Sequence, residues 1–222
     1  MPVSGYQTQI SDYAFGDQHF RIRALSDLQQ YADPDASAAE AGISSAQWSL
    51  FGHVWPAGLV LADAMQIHEV AGKRVLELGC GLGLASLVLS RRGAQVVASD
   101  HHPLAEVFLA YNAALNDLAA VPYRRMDWAT GRAGMGRFDL IIGSDVLYER
   151  GPTLALAALL PSLARPACEI VISDPARGHA GVFARDLAAH GFVLSTPRLP
   201  SAPGRKRQAQ LLHYQRGVGG QA

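Results

Sequence analysis

From Val75 to Gly83 the chain reads Val-Leu-Glu-Leu-Gly-Cys-Gly-Leu-Gly, and Leu84, Leu87 and Val88 follow at helical spacing. A short apolar strand therefore runs through a glycine-rich turn directly into a helix. Glycines there permit a tight turn and close approach of a ligand to the backbone, and the helix N-terminus offers free N–H groups. A dinucleotide site would set its third glycine three residues after the second. Here the spacing is Gly-x-Gly-x-Gly at Gly79, Gly81 and Gly83, with Glu77 two residues before the first. A carboxylate at that point repels a pyrophosphate and suits a ligand with a cationic end. A turn that binds nothing is the plain alternative, and the elements on either side weigh against it.

Those elements alternate. Strands are expected at 74–78, 95–99, 122–126, 138–143 and 169–173, with helices starting at Pro56, Leu84 and Pro103 and near Leu154 and Phe183. Phe108, Tyr111 and Leu115 are expected to share one helix face. Alternation of this kind demands a mostly parallel sheet covered on both faces. Two last strands, 192–196 and 208–214, are joined only by a Pro/Gly/Arg loop, which demands an antiparallel pair at one edge. The fold class is α/β, a Rossmann-like sheet of seven strands. Before it, residues 6–15 and 19–25 read as a hairpin around Gly16-Asp17, so 1–50 form a hairpin-and-loop extension and 51–222 the main unit of one structural domain. Residues 217–222 read as a loose tail.

Composition narrows the function classes. Nineteen Lys and Arg balance nineteen Asp and Glu, and only Lys73 and Lys206 are lysines. A chain with no net charge has no global field for nucleic acid or an anionic membrane. Arg205-Lys206-Arg207 reads as a solvated loop. No apolar run approaches the roughly 20 residues that cross a bilayer, and residues 1–10 lack the basic and apolar regions of a secretory leader. Cys80 and Cys168 sit in apolar runs, which suggests a reducing, cytoplasmic setting. The histidines form no HxxxH or HxH pair, so no metal site is readable.

Four further positions point to a nucleoside and an acceptor. Asp100 lies 21 residues after Gly79 at the end of the next strand, placed to accept hydrogen bonds from both ribose hydroxyls. Asp127-Trp128 follows the third strand, where a Trp can stack on adenine and a carboxylate can read its exocyclic amine. A half-buried core Trp is an equal reading. Ser144-Asp145-Val146-Leu147-Tyr148 follows the fourth strand, where ligands bind outside the strand ends. A carboxylate and a phenol three residues apart suit an amine, and a helix cap with a core Tyr is the alternative. Asp174-Pro175-Ala176-Arg177 follows the fifth strand on the same rim; a turn with an Arg cap is the preferred reading and contact with substrate the alternative.

At these residues the chain resembles the class I S-adenosylmethionine-dependent methyltransferases, and more narrowly the seven-strand family-16 lysine methyltransferases. The similarity covers roughly residues 51–215. Glu77, Gly79, Gly81 and Gly83 match the family's motif I, and Asp100 its ribose acid. Trp128 matches the adenine-side tryptophan, Ser144 a cofactor-side residue, and Asp145 with Tyr148 the Asp-x-x-Tyr motif associated with catalysis and substrate. Trp55-Pro56-Ala57 resembles the segment over the methionine end of the cofactor. The resemblance implies an enzyme that transfers methyl from S-adenosylmethionine to a nitrogen, first of all a protein lysine, and a monomer is expected. A small-molecule amine or arginine is the alternative acceptor, and a non-catalytic nucleoside- or partner-binding domain the alternative class. An Asn-Pro-Pro-Tyr-like stretch, typical of DNA-amine and glutamine methyltransferases, is absent after strand four.

Overall fold

A computed structural model describes residues 5–131, 134–195 and 209–217. Two antiparallel strands, β1 (Thr8–Phe15) and β2 (Gln18–Leu25), form the hairpin. A four-residue helix, α1 (Ser37–Glu40), and a 3-10 turn (Trp48–Gly52) lead into α2 (Pro56–Met65). Pro56 fits the first helical turn because its missing N–H would have no partner there. Then β3 (Arg74–Leu78), α3 (Leu84–Arg91), β4 (Gln95–Asp100), α4 (Ala105–Leu115), β5 (Tyr123–Arg125) and β6 (Phe138–Ser144) alternate. The chain continues through α5 (Arg150–Leu163), β7 (Ala164–Asp174), α6 (Ala180–Ala188), β8 (Val193–Ser195) and β9 (Gln210–Arg216).

The seven strands from β3 onward form one sheet in the order β5-β4-β3-β6-β7-β9-β8. The order reverses beside β3, which opens a crevice at the strand C-termini between β3, β4 and β6. All pairings among β3 to β7 are parallel, and β9 runs antiparallel to both β7 and β8. The expected antiparallel edge pair is therefore present, with the later strand slotted inside the earlier one. Strand alternation divides the core: Val75, Leu140 and Ile142 pack with α2, α3 and the hairpin, while Leu76, Leu78 and Ile141 pack with α5 and α6.

The hairpin shares the main core. Phe20, Ile22 and Leu25 are fully buried in the cluster that holds Leu61, Val75 and Leu87. It is fastened by α4, and here the sequence expectation fails. The buried face of α4 carries Phe108, Leu109, Asn112 and Ala113, while Tyr111 is 43% exposed, under the Arg23 guanidinium at 4.6 Å. An amide that satisfies backbone groups belongs inside, and a Tyr that stacks on an arginine does not need to be. The helix also starts two residues later than Pro103. No helix among the described residues is long and apolar enough to cross a membrane. Arg205-Lys206-Arg207 and the tail beyond Gly217 lie outside the described residues.

Candidate active site

The turn after β3 is shaped by three left-handed glycines: Gly79, Gly81 and Gly83 have φ of 61°, 52° and 79°. Each also meets a neighbour that a side chain would strike. A Cβ on Gly81 would lie 2.8 Å from the Phe51 carbonyl oxygen, and one on Gly83 2.2 Å from Leu109 Cδ1. At Gly79 it would stand 3.1 Å from Val146 and 3.4 Å from the Trp128 ring. The glycines thus serve the packing of the turn.

Two carboxylates hold this loop. The Gly81 N–H donates to Asp100 Oδ2 at 2.8 Å, and the His102 N–H to Oδ1 at 2.8 Å. The His101 N–H also favours the charged carboxylate, and a carboxylate with about four lone-pair sites still has capacity for a ligand hydroxyl. Glu77 is buried, and its Oε2 accepts from the Ser86 N–H at 2.9 Å and from the Ser86 hydroxyl. Burial disfavours its charged form and lifts its pKa to about 7, and burial raises that of Asp100 as well. A positive group beside Glu77 would repay part of that burial cost.

These groups line one cleft of about 780 Å³ at the strand C-termini. Trp55, Glu77, Gly79, Gly81, Asp100, Asp127, Trp128, Ser144, Asp145 and Tyr148 all border it, together with Arg177. Gly83 stands behind the wall, as the residue preceding α3. Trp128 is half-buried, packed on the α5 side of the core with one edge toward Gly79. Trp55 precedes α2 and donates its indole N–H to the Leu50 carbonyl at 2.8 Å. Asp127 accepts from the Ala129 N–H at 2.9 Å and from the Thr130 hydroxyl at 3.4 Å, one on each oxygen, so both oxygens take part in its own turn.

Asp145 has a left-handed backbone, φ 52°, which few non-glycine residues adopt, and its N–H continues the sheet by donating to the Ser173 carbonyl at 2.8 Å. Strain of this kind persists where surrounding structure imposes it. Tyr148 is 39% exposed at the cleft, and burial of its hydroxyl raises its pKa.

A lysine methyltransferase family model matches residues 43–182, more than half of the chain. The chain belongs to this lysine methyltransferase family. It is 32% identical over 163 residues to Protein N-lysine methyltransferase METTL21A of Danio rerio, covering 68% of this chain and 74% of that protein. It is also 32% identical over 104 residues to Histone-arginine methyltransferase METTL23 of Xenopus laevis, and that match spans 44% of each chain. Its fold is similar to the magnesium protoporphyrin IX methyltransferase of Synechocystis PCC 6803 solved with bound SAM. That likeness has a TM-score of 0.56 and 23% identity over 72% of this chain and 78% of the other. The fold of this family member is accordingly that of the S-adenosylmethionine-dependent methyltransferases.

The sequence sets Arg177 on the cleft rim, and the structure gives it a partner there. Read as a turn residue, it reaches Asp145 with both ends of its fork, Nε to Oδ1 and Nη2 to Oδ2, each at 2.8 Å. Its neighbour Asp174 turns away, 1% exposed and bonded to Gln210 at 3.0 Å. Phe51 and His102 were missed. Their rings stack at 3.8 Å and 14°, and the Phe51 carbonyl meets Gly81, so the 3-10 turn braces the glycine loop. Burial holds His102 neutral, with a pKa down at about 3. No short-range pattern marks Phe51 or His102, whose contact spans 51 residues of chain, and none pairs Arg177 with Asp145.

Proposed function

We propose that this protein transfers a methyl group from S-adenosylmethionine to the side-chain nitrogen of a protein lysine. One observation carries the proposal: a single cleft brings Glu77, the glycine turn and Asp100 together with Asp145 and Tyr148. The residues fit the cofactor. Glu77 suits the cationic methionine end, Asp100 the ribose hydroxyls, and the glycine turn leaves the backbone approachable; Trp128 flanks the adenine, with Asp127 at its edge. Trp55 and Ser144 border the methionine side. When bound, S-adenosylmethionine supplies an activated methyl on a sulfonium.

The protein's own part is positioning and proton control. Holding the amine in line is worth several kcal/mol of barrier by itself, up to about 7–11 in favourable cases. A lysine amine has a pKa of about 10.4 and attacks only once deprotonated. Asp145 receives the ammonium, the Tyr148 ring forms a wall beside it, and desolvation in the cleft pushes the lysine pKa down. The proton leaves to water or to Asp145. Cys80 and Cys168 are both free and buried, which supports a cytoplasmic setting.

Arginine is a second acceptor reading, favoured by one contact: Asp145 already holds a guanidinium by two parallel bonds. Relatives of both kinds exist, a protein N-lysine and a histone-arginine methyltransferase. Calorimetry with S-adenosylmethionine, its demethylated product and NAD tests the cofactor; heat from NAD alone would overturn the proposal. Tritiated S-adenosylmethionine in a lysate of cells lacking this protein, with mapping of the label, tests the acceptor. Label on lysine is expected, and label on arginine selects the second reading.

A further inference from the structure

The carboxylate that the proposed chemistry needs is already occupied. Arg177 presents Nε–H and Nη2–H to the two oxygens of Asp145, each at 2.8 Å, the side-by-side pattern in which a guanidinium matches a carboxylate best. We infer that Arg177 is a built-in competitor for the acceptor: its guanidinium fills the cation site at Asp145, and the acceptor side chain enters by exchanging with it. This rests on the methyltransferase reading above and adds the route by which that site takes its substrate.

Three features support exchange over a permanent strut. The Asp145 side chain is 12% exposed and that of Arg177 46%, so the anion is fixed in the cleft while its cation faces solvent. Arg177 lies between β7 and α6 in a stretch without regular structure, flanked by left-handed Ala176 (φ 67°) and Gly178 (φ 96°). Asp145 is itself in left-handed backbone, so both partners stand on or beside strained chain rather than inside a sheet or helix. An ion pair open to solvent on one side is screened, and bidentate geometry puts this one at the upper end of the range for such pairs. Its worth reaches ~1 kcal/mol, about five-fold in an equilibrium constant, which an incoming cation can outweigh.

The exchange also settles which groups are recognised. A site satisfied by a guanidinium accepts a cationic nitrogen with N–H donors, and it rejects neutral amides, which bring no charge to replace the one displaced. Lysine ammonium and arginine guanidinium share that chemistry.

The test uses the full chain saturated with the demethylated cofactor product, at constant ionic strength, with butylammonium chloride as the lysine-like probe and ethylguanidinium chloride as the arginine-like one. The ¹⁵N-edited resonance of the Arg177 Nε–H, assigned by its loss in Arg177→Gln, reports the latch. Saturable movement of that resonance with probe is expected. Arg177→Gln should bind the probe about five-fold more tightly than the wild type. Arg177→Lys should fall between them, and Asp145→Asn should not bind it. The relative affinity of the two probes tells the acceptor classes apart. Equal probe affinity in wild type and Arg177→Gln, or no saturable binding in Arg177→Gln with an unchanged melting temperature, would overturn the exchange. Binding of the demethylated product is measured first, so its absence strikes the methyltransferase reading, while the probe titration on the chain alone still judges the exchange.

Discussion

Asn112 on α4 pairs with the backbone of Arg23 on β2 as another strand would: its Oδ1 accepts from the Arg23 N–H at 2.8 Å and its Nδ2 donates to the Arg23 carbonyl at 3.3 Å. One turn on, Asn116 repeats this with Arg21, accepting at 2.8 Å and donating at 2.7 Å. Two amides at i and i+4 thus satisfy alternate residues of a strand edge that faces a helix. Asn112 Nδ2 also donates to the Leu82 carbonyl at 3.2 Å, which ties the hairpin to the glycine loop.

Replacing Asn116 by Ala should therefore cost about 1–3 kcal/mol, because the Arg21 groups lose their partners in a part-buried place. Cofactor affinity should stay within about two-fold, since Asn116 does not touch the loop. Asn112→Ala should cost as much and weaken cofactor binding too. Urea denaturation and calorimetry on both variants check this; equal cofactor affinity in the two would remove the link through Leu82.

Glu77 titrates at about 7 in the folded chain against an ordinary 4.5. Across that window the folded state holds a proton that the unfolded state has released. The contribution to stability is full below pH 4.5 and is lost as the pH rises through 7. Glu77→Gln should flatten that part of the stability curve in denaturant titrations from about pH 4 to 8. His102 acts oppositely, losing stability as the pH falls below 6.5, but it is common to both proteins and drops out of the difference. A cationic ligand beside Glu77 should also expel its proton. S-adenosylmethionine binding near pH 6.5 should then release protons, read by calorimetry in two buffers of different ionisation heat, and Glu77→Gln should not.

Gly83→Ala should destabilise the fold by about 2–4 kcal/mol, from left-handed backbone and from collision with Leu109. The collision is with the end of a side chain, so adding Leu109→Ala should recover part of the loss, seen as coupling in a double-mutant cycle. Gly81→Val has no such relief, because its obstacle is the Phe51 carbonyl. It should lose cofactor binding, and trimming Phe51 to Ala should not restore it.

Trp128→Ala should weaken S-adenosylmethionine binding by about 1–3 kcal/mol, the range for a base stacked on an aromatic ring. The melting temperature of the free protein should fall less in proportion, since the ring is only half-buried. Unchanged affinity with a large stability loss would return the residue to a core role.

Asp145→Ala should lower methyl transfer by about 100-fold or more while cofactor affinity changes little. Tyr148→Phe should do less if the ring is a wall, and as much if the hydroxyl holds the amine. Single-turnover rates at saturating cofactor on the identified acceptor decide between these. Near-normal turnover in Asp145→Ala would reduce the residue to a turn former.

The sequence by itself determined the strand–glycine–helix junction, the alternation that makes the sheet parallel, and the positions of Glu77, Asp100 and Asp145 at strand ends. Each of these is written in a pattern that spans a few residues, because strand period, glycine conformation and the reach from a strand end are local matters. Only the tertiary structure decided that β9 slips between β7 and β8, that two asparagines serve as a strand, that Phe51 braces Gly81, and that Arg177 closes on Asp145. In each case the partners are separated by tens of residues, and the interaction depends on where the sheet sets their backbones. A guanidinium 32 residues after its carboxylate carries no periodic signature. It becomes a partner only because β6 and β7 are neighbours, so that the loops at their C-terminal ends open on the same side of the cleft.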